Sequence, residues 1–266
     1  MNRGRGKRGS VSSLALLWGA RERPSRQARS ELNLDRIVTS AIELADAEGL
    51  AAVSMRRVAE SLRIGTMTLY TYLPGKDELI DLMLDTCYAE AVPTEEPEGD
   101  WRSRLELIAR RGWRLYRRHP WILELPSARP ALGPNAVARY EHDLRAVADI
   151  GLSELEMDLV VNLVTGHVEG IARRRLEASR AEQRSGMTDR QWWEAHAPVL
   201  RSVADSGHFP LASRVGEVTG EAYGGLYEPE RAFEFGLQRV LDGIEAFIER
   251  HHTDDSTTGG PAGQTL

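Results

Sequence analysis

Apolar residues recur along most of this chain at spacings of three and four positions, the pattern of helices with one buried face. The clearest case spans about 34–48, where the apolar face comprises Leu34, Ile37, Val38, Ala41, Leu44 and Ala45. Gly49 follows directly and predicts the end of this helix, because glycine is favoured just after a helix C-terminus. Alternating runs of β-branched and aromatic residues, which would indicate strands, are missing from the sequence. The pattern therefore predicts an all-α fold.

The next helices are short. Ser54 is a suitable N-cap for a second helix, whose buried face would comprise Met55, Val58, Ala59 and Leu62. A three-residue turn leads to a third brief helix near 66–73, and Pro74-Gly75 ends it before a fourth helix that begins at Lys76 or Asp77. Two short helices joined by such a turn predict a helix-turn-helix, whose second helix lies in the major groove of DNA.

The loop at 93–99 is the best internal boundary, and longer helices are predicted beyond it. Four segments follow from this pattern: a disordered basic tail at 1–33, a helix-turn-helix domain at 34–88, a larger all-helical domain at 89–252, and a disordered polar tail at 253–266. Both tails are rich in polar residues or glycine and show no sustained period, which is typical of disorder.

Charge is distributed unevenly along the chain. The formal net charge is -6, but residues 1–33 carry eight basic and two acidic groups, whereas the remainder is net -12. The tail is either a floppy extension or an arm, in which Arg21, Arg23, Arg26 and Arg29 enter the minor groove or follow the phosphates. If it is an arm, deletion of residues 1–30 is expected to weaken operator binding and to lower its salt dependence.

Composition excludes several classes of protein. A single cysteine, Cys87, argues against a disulfide scaffold and a cysteine-rich zinc site. No apolar run reaches the roughly 18 residues of a membrane span, so we expect a soluble, cytoplasmic protein. The sequence has no metalloprotease, phosphate-loop, dinucleotide or nucleophile-elbow motif, so an enzyme is not expected. A helical enzyme or a protein-binding adaptor remains an alternative, although an adaptor would not need the exposed Thr and Tyr side chains of 66–72.

The run at 62–79, LRIGTMTLYTYLPGKDEL, resembles the signature of the tetracycline-repressor (TetR) family, as does the upstream stretch at 41–59. The larger domain resembles the tetracycline-repressor-type C-terminal domain more loosely, through motifs such as His119-Pro120-Trp121 and Thr165-Gly166-His167. The resemblance implies a homodimer that binds a palindromic operator on double-stranded DNA and is released by a small molecule. It favours a repressor, with an activator of the same fold as the alternative.

If Leu69 and Leu73 point inward, the third helix leaves Thr and Tyr hydroxyls near phosphates and base edges. The family's DNA-contacting pattern, together with the arginine of the turn, gives these candidates: Arg56, Arg63, Thr66, Met67, Thr68, Tyr70, Thr71, Tyr72 and Lys76. Arg63 stands where the family usually has glycine in a left-handed conformation, which an arginine adopts at a cost on the order of 1 kcal/mol.

An apolar ligand pocket is expected between helices of the larger domain. The candidate lining is aromatic or aliphatic except for one histidine: Trp113, Tyr116, Trp121, Leu125, Tyr140, Leu144, Leu163, His167, Trp192 and Phe209. Packing in the core is the alternative for each. In the founding repressor, a magnesium-chelated drug is held at positions that fall here on Leu125 and about Asn162 and Gly170. Because this metal-ligand pattern is absent, we expect no metal, no cofactor and a hydrophobic inducer.

The resemblance places dimerisation on the helices at about 153–180 and 229–250. Apolar stripes on both helices would supply the interface: Leu155, Leu159, Leu163, Phe233, Leu237, Val240, Leu241, Ile244 and Phe247. The two-fold symmetry of such a dimer would match a palindromic operator.

Overall fold

The computed structural model describes residues 14–19, 32–93, 98–126, 132–205 and 207–258. Within these ranges the chain is helical and has no strand, so the all-α prediction is confirmed. The helices are α1 (14–19), α2 (Leu34–Glu48), α3 (Met55–Ser61), α4 (Thr66–Leu69), α5 (Lys76–Ala89), α6 (Trp101–Arg118), α7 (Pro134–Arg145), α8 (Glu154–Ser185), α9 (Asp189–Asp205), α10 (Pro210–Tyr223) and α11 (Pro229–Thr258). Two 3-10 turns lie at Leu50–Ala52 and Pro120–Glu124.

Local sequence specifies several helix ends. Ser54 caps α3, because its Oγ accepts a hydrogen bond from the Arg57 backbone N–H at 3.3 Å. The long helix α8 begins with a capping box between Ser153 and Glu156 and ends at Gly186, whose φ is 67°. A capping box satisfies two otherwise unpaired backbone groups, and glycine adopts the left-handed C-terminal conformation without steric cost.

Helices α2 to α5 enclose the core of the N-terminal unit, where Ile37, Val58, Leu69 and Leu79 are fully buried. In the larger domain, α8 packs along both α6 and α11. The Trp113 ring of α6 stacks on Phe233 of α11, with ring centroids 4.8 Å apart. Such aromatic stacking supplements the burial of apolar area, and it ties the final helix into the centre of the domain.

The structure corrects the prediction for the N-terminal tail. Residues 14–19 form a helix, Leu17 is 3% exposed, and the Trp18 Nε1–H donates a hydrogen bond to the Leu132 carbonyl at 3.0 Å. The six described residues of this helix would not be stable as a helix on their own. Packing against the rest of the chain stabilises them, and the local sequence pattern does not predict that packing. The tail arginines at 21, 23, 26 and 29 lie outside the described residues.

Two helix predictions also change. The final helix extends to Thr258, into the segment predicted as the C-terminal tail. Four members of its proposed dimer stripe are instead buried within the protomer: Phe233, Leu237, Leu241 and Ile244. None of the described helices combines the length and apolarity needed to cross a membrane.

Candidate DNA-reading surface and ligand cavity

Burial separates the inner and outer faces of the second helix of the helix-turn-helix. Leu69 and Leu73 are fully buried, as the prediction of a helix-turn-helix requires. Met67 is 77% exposed, and Thr68, Tyr70 and Thr71 are also exposed, whereas Thr66 is half-buried. The outer face therefore offers hydroxyls, an aromatic ring and a flexible thioether in one short stretch, which are groups suited to base edges and phosphates.

Arg63 lies at the C-terminus of α3 with a φ of 57°. The backbone N–H of Ile64 donates to the Ala59 carbonyl at 3.0 Å, and that of Arg63 donates to the Glu60 carbonyl at 3.1 Å. These two hydrogen bonds form a Schellman motif, which favours glycine at the position of Arg63. The left-handed conformation is thus retained with an arginine, whose exposed side chain has no ion pair among the described residues.

The other predicted cations differ in their surroundings. The exposed Arg56 pairs with Glu60 one turn later at 2.7 Å, so part of its charge is already compensated. Lys76 is the first residue of α5 and has no ion pair within the part of the chain that the structure describes. An ammonium group beside the N-terminus of a helix can reinforce the attraction of that N-terminus for a phosphate.

Tyr72 does not share the outer face. It is half-buried against the core, and its hydroxyl donates to the Leu32 carbonyl at 3.2 Å, just before α2. The hydroxyl of Tyr72 thus has a structural partner, and its contact with DNA stays a prediction. The second helix of the motif is shorter than predicted, since α4 ends at Leu69 instead of near Leu73.

The larger domain contains a cavity of about 410 Å³ between α5, α6, α7, α8 and the turn at Pro120–Glu124. The lining comprises Leu84, Tyr88, Tyr116, Ile122, Leu123, Leu125, Pro126, Leu132, Ala136, Arg139, Tyr140, Asp143, Val161, Asn162, Thr165 and Glu169. Three predicted lining residues, Tyr116, Leu125 and Tyr140, are among them. The size and the largely apolar lining are those of small-molecule sites.

The other seven predicted residues lie outside this lining, in core or on exposed faces. Three of them pack in the core: Trp113, Trp121 and Leu144. His167 lies beside Phe233, with its Nε2 3.3 Å from the Phe233 carbonyl. Leu163 and Phe209 are exposed, and Trp192 stacks on His196. Helical spacing identifies residues that share a face, but it does not distinguish a face that lines a cavity from one that packs in core.

Polar residues of the cavity were missed by the sequence analysis. Asp143 follows Arg139 by one turn of α7, with Oδ2 3.8 Å from the Arg139 Nε. The Arg139 guanidinium also lies over the Tyr88 ring and close to the Tyr116 hydroxyl. Burial raises the pKa of Asp143 to about 6, against the opposing charges of Arg139 and Arg111. The available signal was the helical spacing of 136, 139, 140 and 143, which places these positions on the face of Tyr140.

Across the described ranges, no group of three His, Cys, Asp or Glu side chains could hold a metal ion. Leu125 and Asn162, the positions to which the resemblance assigned drug and metal contacts, do line the cavity, whereas Gly170 does not.

Two carboxylates connect the cavity wall to the helix-turn-helix unit. Asp85 of α5 accepts hydrogen bonds from the backbone N–H groups of Asn135 at 3.1 Å and Ala136 at 2.9 Å, at the start of α7. Asp46 of α2 accepts a hydrogen bond from Trp121 Nε1 at 2.8 Å and lies 2.8 Å from His119 Nδ1. Elements that line the cavity are thereby joined to elements that position the DNA-reading surface.

Comparison with known families matches both parts of the chain. Residues 37–83 match the family described as "Bacterial regulatory proteins, tetR family". Residues 92–248, more than half of the chain, match "Tetracyclin repressor-like, C-terminal domain". The chain belongs to the TetR family. This membership confirms that the TetR-family protein is a DNA-binding transcriptional regulator with a helix-turn-helix and a helical C-terminal domain.

Curated relatives of this TetR-family regulator carry consistent names. It is 42% identical over 248 residues to the HTH-type transcriptional repressor DrrR1 of Streptomyces coeruleorubidus, which covers 92% of this chain and 88% of the relative. It is 26% identical over 235 residues to the class E tetracycline repressor protein of Escherichia coli, which covers 84% and 96% of the two chains.

Solved structures agree with the fold. Apo ActR from Streptomyces coelicolor matches with a TM-score of 0.65 and 28% identity, over 84% of this chain and 99% of ActR. ActR in complex with (S)-DNPA matches with a TM-score of 0.64 and 30% identity, over 82% and 98%. ActR in complex with actinorhodin matches with a TM-score of 0.60 and 28% identity, over 82% and 99%.

Proposed function

We propose that this regulator is a repressor that binds a palindromic operator as a homodimer and is released when a small, largely apolar molecule enters the cavity. The observation that carries the proposal is the pair of carboxylates, Asp85 and Asp46, that join the cavity wall to the DNA-reading unit. The names of the relatives support it: DrrR1 is called a repressor, and ActR is described in complex with actinorhodin.

On the DNA side, Met67, Thr68, Tyr70 and Thr71 enter the major groove, with Thr66 at the start of the same helix. Arg56, Arg63 and Lys76 contact phosphates. The segment 34–88 has five basic and nine acidic residues, so a net charge of -4 opposes DNA binding there. Affinity therefore depends on a few placed cations and helix N-termini, because bulk attraction is absent from this unit.

A second copy of the chain covers the exposed stripe of α8. Leu155, Leu159 and Leu163 follow one another by one helical turn and are 69, 57 and 53% exposed. Phe235 of α11 is also exposed. Exposed apolar side chains in a row are typical of a protein interface. A two-fold dimer would place the two reading helices in successive major grooves, about 34–36 Å apart.

Release follows from a difference in ligand affinity between two conformations. A ligand in the cavity contacts Leu84 of α5, Ile122 of the 3-10 turn and Ala136 of α7. Displacement of α7 or of the turn moves the N–H groups that donate hydrogen bonds to Asp85 and Asp46. Since α5 and α2 both belong to the helix-turn-helix unit, the reading helices then leave the separation that fits the operator.

The test begins with selection of bound DNA fragments by the purified full chain. Fluorescence anisotropy then measures affinity for a selected fragment, and a panel of hydrophobic compounds is screened for release. We expect a palindromic site, and a loss of affinity of tenfold or more in Thr68→Ala/Tyr70→Ala, while Ser213→Ala of α10 binds like the parent. If Thr68→Ala/Tyr70→Ala retains full affinity, the DNA-reading assignment is wrong.

Reporter transcription separates repression from activation. Repression predicts that expression from the selected site rises when the regulator is deleted, whereas an activator gives the opposite change. Light scattering on the purified chain measures its mass, and a monomeric mass at micromolar concentration would contradict the dimer.

A further inference from the structure

Most polar groups in the cavity wall are already satisfied within the chain. These groups bond to neighbours on their own or adjacent helices: Tyr140 Oη donates to Asp158 Oδ1 at 2.6 Å, Asn162 Nδ2 to the Asp158 carbonyl at 2.9 Å, Thr165 Oγ1 to the Val161 carbonyl at 2.9 Å, and Arg173 to Glu169 at 2.6 Å. A ligand gains little by competing for them, since each new bond would replace an existing one.

Arg139 and Asp143 differ from these groups. Both side chains line the cavity and are deeply buried, with exposures of 13 and 7%. Their separation of 3.8 Å is an ion-pair distance, beyond that of a hydrogen bond. No donor among the described residues lies within hydrogen-bonding distance of the Asp143 carboxylate. A guanidinium has five N–H donors, and the one of Arg139 lies against the Tyr88 ring and close to the Tyr116 hydroxyl.

An incompletely bonded charge pair is costly to bury, and a ligand with matching groups would relieve that cost. We propose that Arg139 and Asp143 are the polar anchor of the ligand site. The ligand is a neutral, largely aromatic molecule whose hydroxyl donates a hydrogen bond to Asp143 and whose carbonyl-type oxygen accepts one from Arg139. This inference rests on the proposed function, because it names the chemistry of the same cavity.

Charge balance in the wall explains why the ligand is neutral. Arg139 compensates Asp143, and Arg173 compensates Glu169 on the facing helix. The charge of Arg111 on α6 also favours the Asp143 carboxylate, although Arg111 does not line the cavity. A ligand with a net charge would leave one buried charge without a partner. The aromatic body follows from the remaining wall, where Tyr88, Tyr116 and Tyr140 offer ring faces and edges.

Three planar probes that share one ring system test this assignment. The probes are 2-(hydroxymethyl)anthraquinone, 2-ethylanthraquinone, which lacks the hydroxyl, and anthraquinone-2-carboxylate, which is anionic. Dissociation constants for the full chain are measured by calorimetry or fluorescence at neutral pH. We expect the hydroxymethyl probe to bind at least about tenfold more tightly than either of the others, as a hydrogen bond to a charged group predicts.

The variant Arg139→Met/Asp143→Leu removes both charges and keeps similar side-chain volume, a change that folded proteins often tolerate. It should bind 2-(hydroxymethyl)anthraquinone and 2-ethylanthraquinone with equal affinity, because the hydroxyl has lost its acceptor. An unchanged circular dichroism spectrum and cooperative thermal unfolding report that the variant is folded. Three results would overturn the anchor. They are equal binding of the two neutral probes by the parent, tightest binding of the anionic probe, and a preference for the hydroxyl that survives in the variant.

Binding of none of the three probes would also overturn it. Operator affinity measured on the same samples keeps the two proposals distinguishable. If the parent binds operator and the hydroxyl preference is missing, only the anchor fails. If the parent does not bind selected DNA, the proposed function fails whatever the probes show.

Discussion

Asp85 of α5 caps the first turn of α7 by accepting hydrogen bonds from Asn135, through the backbone N–H at 3.1 Å and the side-chain Nδ2 at 3.1 Å. The carboxylate approaches so closely that a Cβ built on Gly133 would overlap its Oδ1 atom. The requirement for glycine at 133 is therefore steric, since its φ of -76° is open to any residue.

Gly133→Ala should lower the free energy of unfolding by about 1–3 kcal/mol, because the new methyl group displaces the Asp85 cap. Urea titration measures the change. Gly216→Ala in α10 is the matched control, since a Cβ at that position meets nothing within 4 Å. A Gly133→Ala variant as stable as the parent would mean that the cap can shift freely.

Arg63→Gly should raise the free energy of unfolding by about 1 kcal/mol, because glycine adopts the left-handed conformation without strain. The same change removes a cation from the DNA-reading surface. We therefore expect weaker operator binding with a salt slope reduced by about one unit. Thermal unfolding and anisotropy at several salt concentrations measure the two effects, and an unchanged slope would remove Arg63 from the phosphate contacts.

Tyr70 and Tyr72 should respond differently to loss of the hydroxyl. Tyr70→Phe is expected to weaken operator binding without changing stability, because the Tyr70 side chain is exposed. Tyr72→Phe should lower the free energy of unfolding by about 0.5–1.5 kcal/mol, since its hydroxyl bonds to the Leu32 carbonyl. Its operator affinity, measured well below the melting temperature, should equal that of the parent. The reverse assignment of effects would show that Tyr72 faces DNA.

Asp143 should make the protein less stable as the pH rises. Burial raises its pKa to about 6, so the folded chain holds this proton more tightly than the unfolded chain. The stabilisation is complete below about pH 4 and is lost as the pH rises through about 6. Asp143→Asn stays neutral throughout, so its free energy of unfolding relative to the parent should rise by about 2 kcal/mol between these limits.

Chemical denaturation at a series of pH values measures that difference. Asp242→Asn provides a control of opposite sign, because hydrogen bonds from Arg102 and Arg239 lower the pKa of Asp242. Its replacement should destabilise the chain at neutral pH and matter less as the pH falls. A pH-independent difference for Asp143→Asn would contradict the burial of its charge.

The N-terminal unit was predictable because its signals are local. The cap at Ser54, the spacing around Leu69 and Leu73, and the glycine-favouring turn at Arg63 all lie within one short stretch. The cavity was less predictable because it is a tertiary feature. Helical spacing identified Tyr116 and Tyr140 and equally identified Trp113, which stacks on Phe233 some 120 positions later. Arg139 and Asp143 resemble an ordinary surface ion pair until the packing of α7 buries them.

Trp18 and Leu132 are separated by 114 positions in sequence, yet their hydrogen bond places α1 against a residue of the cavity wall. A chain shortened to begin at Leu34 would thus lose this contact with the cavity wall together with the basic tail. Altered DNA affinity in that variant would have two possible origins. Trp18→Phe removes the indole N–H and leaves every arginine in place, so a change of ligand affinity in that variant reports the loss of the contact with the cavity wall alone.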